Sequence, residues 1–136
     1  MNAVEIAAVP ESLPKVLDFI NERLARTGCA SRLMTQINVA AEEIFVNISS
    51  YAYQPETGAA RIQVEMLENP PTAVISFSDR GRPYNPLEKH DPNLKVPVRE
   101  RKKGGLGIYM VKQSMDEAVY EYRDGQNVLT IKKRIG

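Results

Sequence analysis

Past Tyr53 the spacing of apolar residues changes from a helical period to a strand period, and this limits the fold more than any other feature. From about Ser31 or Arg32 to Tyr53, the side chains of Met34, Ile37, Ala41, Ile44, Phe45 and Ile48 fall on one broad helix face. "QPETG" ends that run. "ARIQVEMLE" then alternates Ile62, Val64 and Met66 with Gln63 and Glu65, the pattern of a strand with one wet face. After the turn "NPP", "TAVISFSD" is a second strand ending at Asp79. Arg61 to Asp79 is therefore predicted to be an antiparallel hairpin with a Pro-bearing loop.

The flanking segments follow the same logic. "AVEIAAV", Ala3 to Val9, is a first strand ended by Pro10. "PESLPKVLDFINERLARTG" reads as a helix: Ser12 can cap it, Pro14 suits its first turn, and Leu13, Val16, Leu17, Ile20 and Leu24 form its apolar stripe. Gly28 is a natural stop. From Gly81 to Gly105 no period is visible, and the stretch holds Pro83, Pro86, Pro92 and Pro97 with a basic cluster. A structureless run of that length inside a compact unit is often an active-site lid, here expected over about 84–104. "LGIYMVKQSMD" resumes a helical pattern, and "EAVYEYRDGQNVLTIKKRI" is a hairpin joined at Asp124-Gly125. The order β-α-α-β-β-loop-α-β-β brings strands in hairpins, so the sheet should be mostly antiparallel. The helices' apolar stripes need a sheet face to cover. The expected class is α+β, a two-layer α/β sandwich with helices on one face.

Composition fits this reading. The chain has 136 residues, 43% hydrophobic and 26% charged, an ordinary balance for one domain over 1–136 that needs no disulfide or metal staple. A formal net charge of +1 makes no general case for nucleic acid or an anionic membrane as partner. Cys29, the only cysteine, excludes an intramolecular disulfide and reads as a small structural residue in a reducing cytoplasm. "MNAVEIAAVPESLP" has neither the basic lead nor the apolar core of a signal peptide, and no apolar run approaches a membrane span. The expectation is a soluble, cytoplasmic protein.

Three stretches carry polar chemistry. In "AEEIFVNISSYAY", Glu43 and Asn47 stand one helical turn apart, in the gap between Val39/Val46 and Ala40/Ile44, while Asn38, Glu42 and Ser49 are expected to face water. A recessed carboxylate can accept a proton, and a carboxamide oxygen can bind a hard cation; taken alone, such a pair on a helix is common and a plain Glu–Asn hydrogen bond on an exposed strip is the better reading. In "SFSDRGRP", Asp79 ends a strand with Gly81 at +2. A carboxylate there can accept from an amino group in a pocket, such as that of adenine, and Gly81 lets backbone approach a flat ligand; an ordinary Asp–Gly turn has the same sequence. In "KKGGLGIYMVK", Gly104, Gly105 and Gly107 open a helix behind Lys102 and Lys103. Helix-start N–H groups and small residues suit a phosphate, though a glycine-rich hinge would read alike. Neither a Walker A loop nor a Rossmann fingerprint is present.

Taken together, order, spacing and secondary structure are similar to the ATP-binding domain of the GHKL superfamily, which includes gyrase and the histidine kinases. More closely, the chain resembles the standalone anti-sigma factor serine/threonine protein kinases of bacteria, over essentially its whole length. "EEIFVNISSYAY" matches that family's N box, "DRGRPYNP" its D-x-G box, and "GGLGIYMVK" its glycine box. The resemblance implies the Bergerat fold, with a mixed, mostly antiparallel sheet. It implies Glu43 as general base, Asn47 as Mg²⁺ ligand, Asp79 on the adenine amine and Gly81 lining the adenine pocket. It also implies Gly105 and Gly107 at the phosphates of ATP, Gly104 as a hinge, and Thr130 supporting Asp79. Lys103, in the Arg99–Lys103 cluster, could close over the phosphates, though a solvated basic loop would read alike.

The implied activity is binding of a sigma factor and phosphorylation of an anti-anti-sigma (STAS) protein on Ser, with homodimerisation possible. His90 is the only histidine and does not lie on a dimerisation helix, so the acceptor should be another protein. The departures are Tyr51 where many relatives have His, Tyr84 where they have Phe, and Asn85 where they have Asp. Tyr51 keeps open a second reading, a nucleotide-dependent regulatory module that transfers nothing. A gyrase- or chaperone-type ATPase fragment is disfavoured, because such proteins need further domains to couple hydrolysis to work.

Overall fold

The computed structural model describes residues 2–53, 56–88 and 106–136. Among these residues lie five strands and three α-helices: β1 Ala3–Ala7, α1 Leu13–Ala25, α2 Ser31–Tyr51, β2 Ala59–Leu67, β3 Thr72–Asp79, α3 Leu106–Ser114, β4 Glu117–Arg123 and β5 Gln126–Arg134. The sheet order is β1-β2-β3-β5-β4, and each of the four pairings is antiparallel. This is the α+β sandwich expected from the sequence. The order places β5 between β3 and β4, so the second hairpin docks its last strand against the end of the first.

The period-2 pattern decides which side of the sheet is dry. Ala60, Ile62 and Val64 of β2, Ala73, Ile75 and Phe77 of β3, and Leu129 and Ile131 of β5 are buried in one core with Val16, Ile20 and Leu24 of α1 and Ile37, Ala41, Ile44 and Phe45 of α2. The other face carries Arg61, Gln63, Ser76, Ser78 and Val128. At the β4–β5 turn, Asp124 (φ 52) and Gly125 (φ 74) both adopt the left-handed region, as a two-residue type I′ hairpin requires.

Several local expectations change. α1 does start after Ser12, but that side chain makes no capping bond. α2 stops at Tyr51, two residues short of the sequence estimate, with Ala52 as its C-cap. Ser49 is buried and bonds Val46 O, and Asn38 exchanges amide hydrogen bonds with Asn21 of α1 at 2.9 and 2.6 Å. Asn38 turns from water because α1 lies against that flank of α2. A 3-10 turn, Pro86–Glu88, forms inside the aperiodic stretch. Cys29 is partly buried and its thiol is pushed up by desolvation, in keeping with a structural role. Among the described residues, no helix is long and apolar enough to cross a membrane.

Candidate active site

Glu43 and Asn47 form one unit within α2. Asn47 is 5% exposed. Its Nδ2 donates to Glu43 O at 2.8 Å and to Glu43 Oε1 at 3.1 Å. These bonds hold the amide nitrogen toward Glu43, so the oxygen is the end directed away from it. The pair is recessed by α3 and not by the valines: Val39 and Val46 are 49% and 40% exposed. A Cβ placed on Gly107, in the first turn of α3, would collide with the Glu43 carboxylate. Glycine at 107 is what lets the two helices close around that carboxylate, and it brings the glycine-box and N-box residues together.

Asp79, the last residue of β3, faces the helices and is 6% exposed. Its Oδ1 accepts from Gly81 N at 2.8 Å and from Asn127 Nδ2 at 2.9 Å. Among the described residues no donor reaches Oδ2. Burial pushes the Asp79 carboxyl above the usual carboxylate range, and the bonds from Asn127 and Gly81 oppose that rise.

Asn47 and Asp79 line the same cleft. Ile44, Ile48, Phe77 and Leu129 supply its apolar walls, and Tyr84, Tyr120 and Asn127 its rim. In this structure the cleft is narrow, with a cavity volume of about 30 Å³, and its lining is mostly apolar with a few polar groups, the character of a small-molecule site. An apolar slot with a carboxylate acceptor in its wall matches the chemistry of a flat, amine-bearing ring. The ring of Tyr84 also meets Tyr51, with centroids 5.4 Å apart, so two of the departures noted in the sequence touch each other.

Two expected roles change. Thr130 was expected behind Asp79, but it lies across from Ser76 on the opposite face of the sheet, its hydroxyl 3.2 Å from that of Ser76. Strand alternation sends it away from the cleft. Asn127 is the residue that faces Asp79 across β3 and β5 and bonds it. Gly81 makes its close approach to protein: a Cβ there would strike the Ala52 carbonyl at the end of α2, and Arg82 N donates to the same oxygen at 3.0 Å. Its neighbours Asp79, Arg82 and Tyr84 wall the cleft instead. Gly104, Gly105 and Lys103, with His90 and most of the expected lid, lie outside the described residues.

Tyr53 also escaped the sequence reading. Its hydroxyl donates to Ala59 O at 2.6 Å and accepts from Arg80 N at 2.8 Å, stapling the segment after α2 to the start of β2 and the exit of β3. No sequence signal marks it. For Asn127 one existed: it is the polar member of the inward series Asn127, Leu129, Ile131.

An α+β sandwich whose long second helix and β3 end share such a cleft defines a class, and comparison with known proteins agrees. The chain belongs to the histidine kinase-like ATPase domain family, whose model matches residues 6–133. Among curated relatives, the Serine/threonine-protein kinase BtrW of Bordetella bronchiseptica is 25% identical over 130 residues, covering 96% of this chain and 91% of the relative. The Serine-protein kinase RsbW of Bacillus thuringiensis is 26% identical over 118 residues, covering 81% and 74%. A crystal structure of the RsbU and RsbW domains of a Mycobacterium tuberculosis protein superposes with a TM-score of 0.69 at 17% identity, over 99% of this chain and 33% of that one. This chain thus spans about a third of that structure, and the likeness speaks for the fold.

Proposed function

We propose that this chain is an ATP- and Mg²⁺-dependent anti-sigma factor kinase, which binds a sigma factor and phosphorylates a STAS-domain anti-anti-sigma protein on Ser. The observation that carries the reading is the single cleft lined by Asn47 and Asp79, with Glu43 beside it against Gly107. Asp79 Oδ2 accepts from the adenine amine. The apolar walls take the ring faces, and Asn47 presents its amide oxygen where the phosphates would begin. The donor set suits Mg²⁺: the Asn47 amide oxygen is a hard donor, and Mg²⁺ takes few protein ligands when phosphates and water supply the rest. Asn47 would hold it, and the ion would neutralise phosphate charge. Glu43, braced by the Asn47 amide, is placed to take or orient the acceptor hydroxyl proton.

The experiment is incubation of the purified protein with Mg·ATP and a STAS-domain protein, read for phosphoserine by mass spectrometry. Glu43→Ala should abolish transfer while calorimetric ATP binding persists. Unchanged transfer in Glu43→Ala removes Glu43 from the mechanism. Binding without transfer in the unaltered protein favours the second reading, a nucleotide-dependent regulatory module. The exposed Tyr51, where related kinases carry an imidazole, is the observation on its side.

A further inference from the structure

We propose that Asn127 is a positioning residue for base selection, holding Asp79 with one carboxylate oxygen toward the cleft and tying it to the turn Gly81–Tyr84. The inference rests on the nucleotide reading above. Asn127 is 7% exposed and bonded at both ends of its amide. Nδ2 donates to Asp79 Oδ1 at 2.9 Å and Arg82 O at 2.8 Å, with Gly81 O more distant at 3.4 Å. Oδ1 accepts from Tyr84 N at 3.1 Å and from the Tyr120 hydroxyl. An amide has two N–H donors and two acceptor lone pairs, so all four are engaged. Turning the amide over would set its oxygen against the Asp79 carboxylate and its N–H groups against Tyr84 N–H. The orientation is therefore fixed by four partners on three separate segments.

The consequence falls on Asp79. With Oδ1 held by Asn127 and Gly81, the carboxylate cannot rotate without breaking two bonds in a buried site. Oδ2 stays aimed at the cleft as a pure acceptor. A 6-amino purine offers it an N–H, whereas a 6-oxo purine offers a carbonyl oxygen with no proton between. Discrimination between the two classes then depends on Asn127, whose amide bonds are all spent on protein. Its bonds to Arg82 O and Tyr84 N make the placement of the 81–84 turn part of the same arrangement.

The test compares Asn127→Thr with Asn127→Val, side chains of one shape that differ by a hydroxyl. Both lose the bonds to Arg82 O and Tyr84 N; only Thr can donate to Asp79 Oδ1. Affinities for ATP and for inosine triphosphate are measured by calorimetry, with thermal melts to confirm folding. The unaltered protein should prefer ATP, Thr should keep that preference, and Val should lower it about tenfold, as expected for one hydrogen bond to a charged group. If Val keeps the original ratio, or if Thr and Val lose it equally, the proposal is overturned while the nucleotide reading stands. If the unaltered protein binds neither nucleotide, both fall. Should Val fail to fold, Asn127→Ser, which keeps a hydroxyl donor, is compared with Asn127→Ala: a ratio kept in Ser and lowered in Ala supports the proposal, and equal ratios overturn it.

Discussion

Asp79 shows how one residue can weaken a fold while equipping it. Its folded pKa is raised by burial, so the native state holds this proton to higher pH than the unfolded chain does. As pH rises from the ordinary carboxylate range through that raised value, Asp79 removes stability, and the whole penalty is present once the pH has passed it. Asp79→Asn is isosteric and can still accept from Gly81 N and Asn127 Nδ2. It should melt no lower than the unaltered protein at pH 7, with any advantage vanishing in acid; thermal denaturation between pH 4 and 7 reads this. The same change presents an N–H to the adenine amine, so ATP affinity should fall on the order of 10- to 100-fold, the worth of one charged hydrogen bond. A parallel fall in melting temperature would assign Asp79 a structural role instead. The carboxylate was visible in the sequence as a strand-end Asp, whereas Asn127 was legible only as an inward polar residue and not as its partner. Asn127 lies 48 positions away in the chain, and only the β3–β5 register puts the two face to face.

Among the elements, the contact of α2 with α3 matters most to the site. Both helices could be read from their apolar periods, yet periodicity cannot say which helix covers which flank. The sequence placed Glu43 in the gap between Val39/Val46 and Ala40/Ile44, but the structure leaves the two valines in water and recesses Glu43 against Gly107. Gly107→Ala tests the arrangement. Alanine favours helix by about 1 kcal/mol, and the Glu43 carboxylate is the movable end of a flexible side chain, so stability should change little. The displaced carboxylate should lower phosphoryl transfer on the order of 10²-fold, the usual scale for a misplaced acid–base group. A stopped phosphorylation assay with a melting curve checks both halves. Loss of stability with transfer intact would show that Glu43 tolerates relocation.

At the scale of the molecule, the core that joins helices to sheet also forms the floor of the cleft. Phe45 is fully buried in it without lining the cleft. Phe45→Ala should cost about 3–5 kcal/mol, a large share of the roughly 5–15 kcal/mol that holds a typical domain. Urea denaturation should show a lowered midpoint with little change in slope. Saturating Mg·ATP should recover part of the loss, about 2.7 kcal/mol at a hundred times its dissociation constant. No recovery would mean that the cleft does not bind nucleotide in the folded state.

From local pattern alone came the order of elements, the two hairpins, the helix stripes and the positions of Glu43, Asn47 and Asp79, because each depends on residues within a few positions of one another. Tertiary structure decided the rest: that Thr130 turns away from the cleft, that Asn127 and Tyr53 bind its frame, and that Gly81 and Gly107 are needed where backbone meets the end of α2 and the Glu43 carboxylate. Those facts depend on strand register and on helix-to-helix approach. Both are set by how the whole apolar surface packs, and no short window of sequence contains that information.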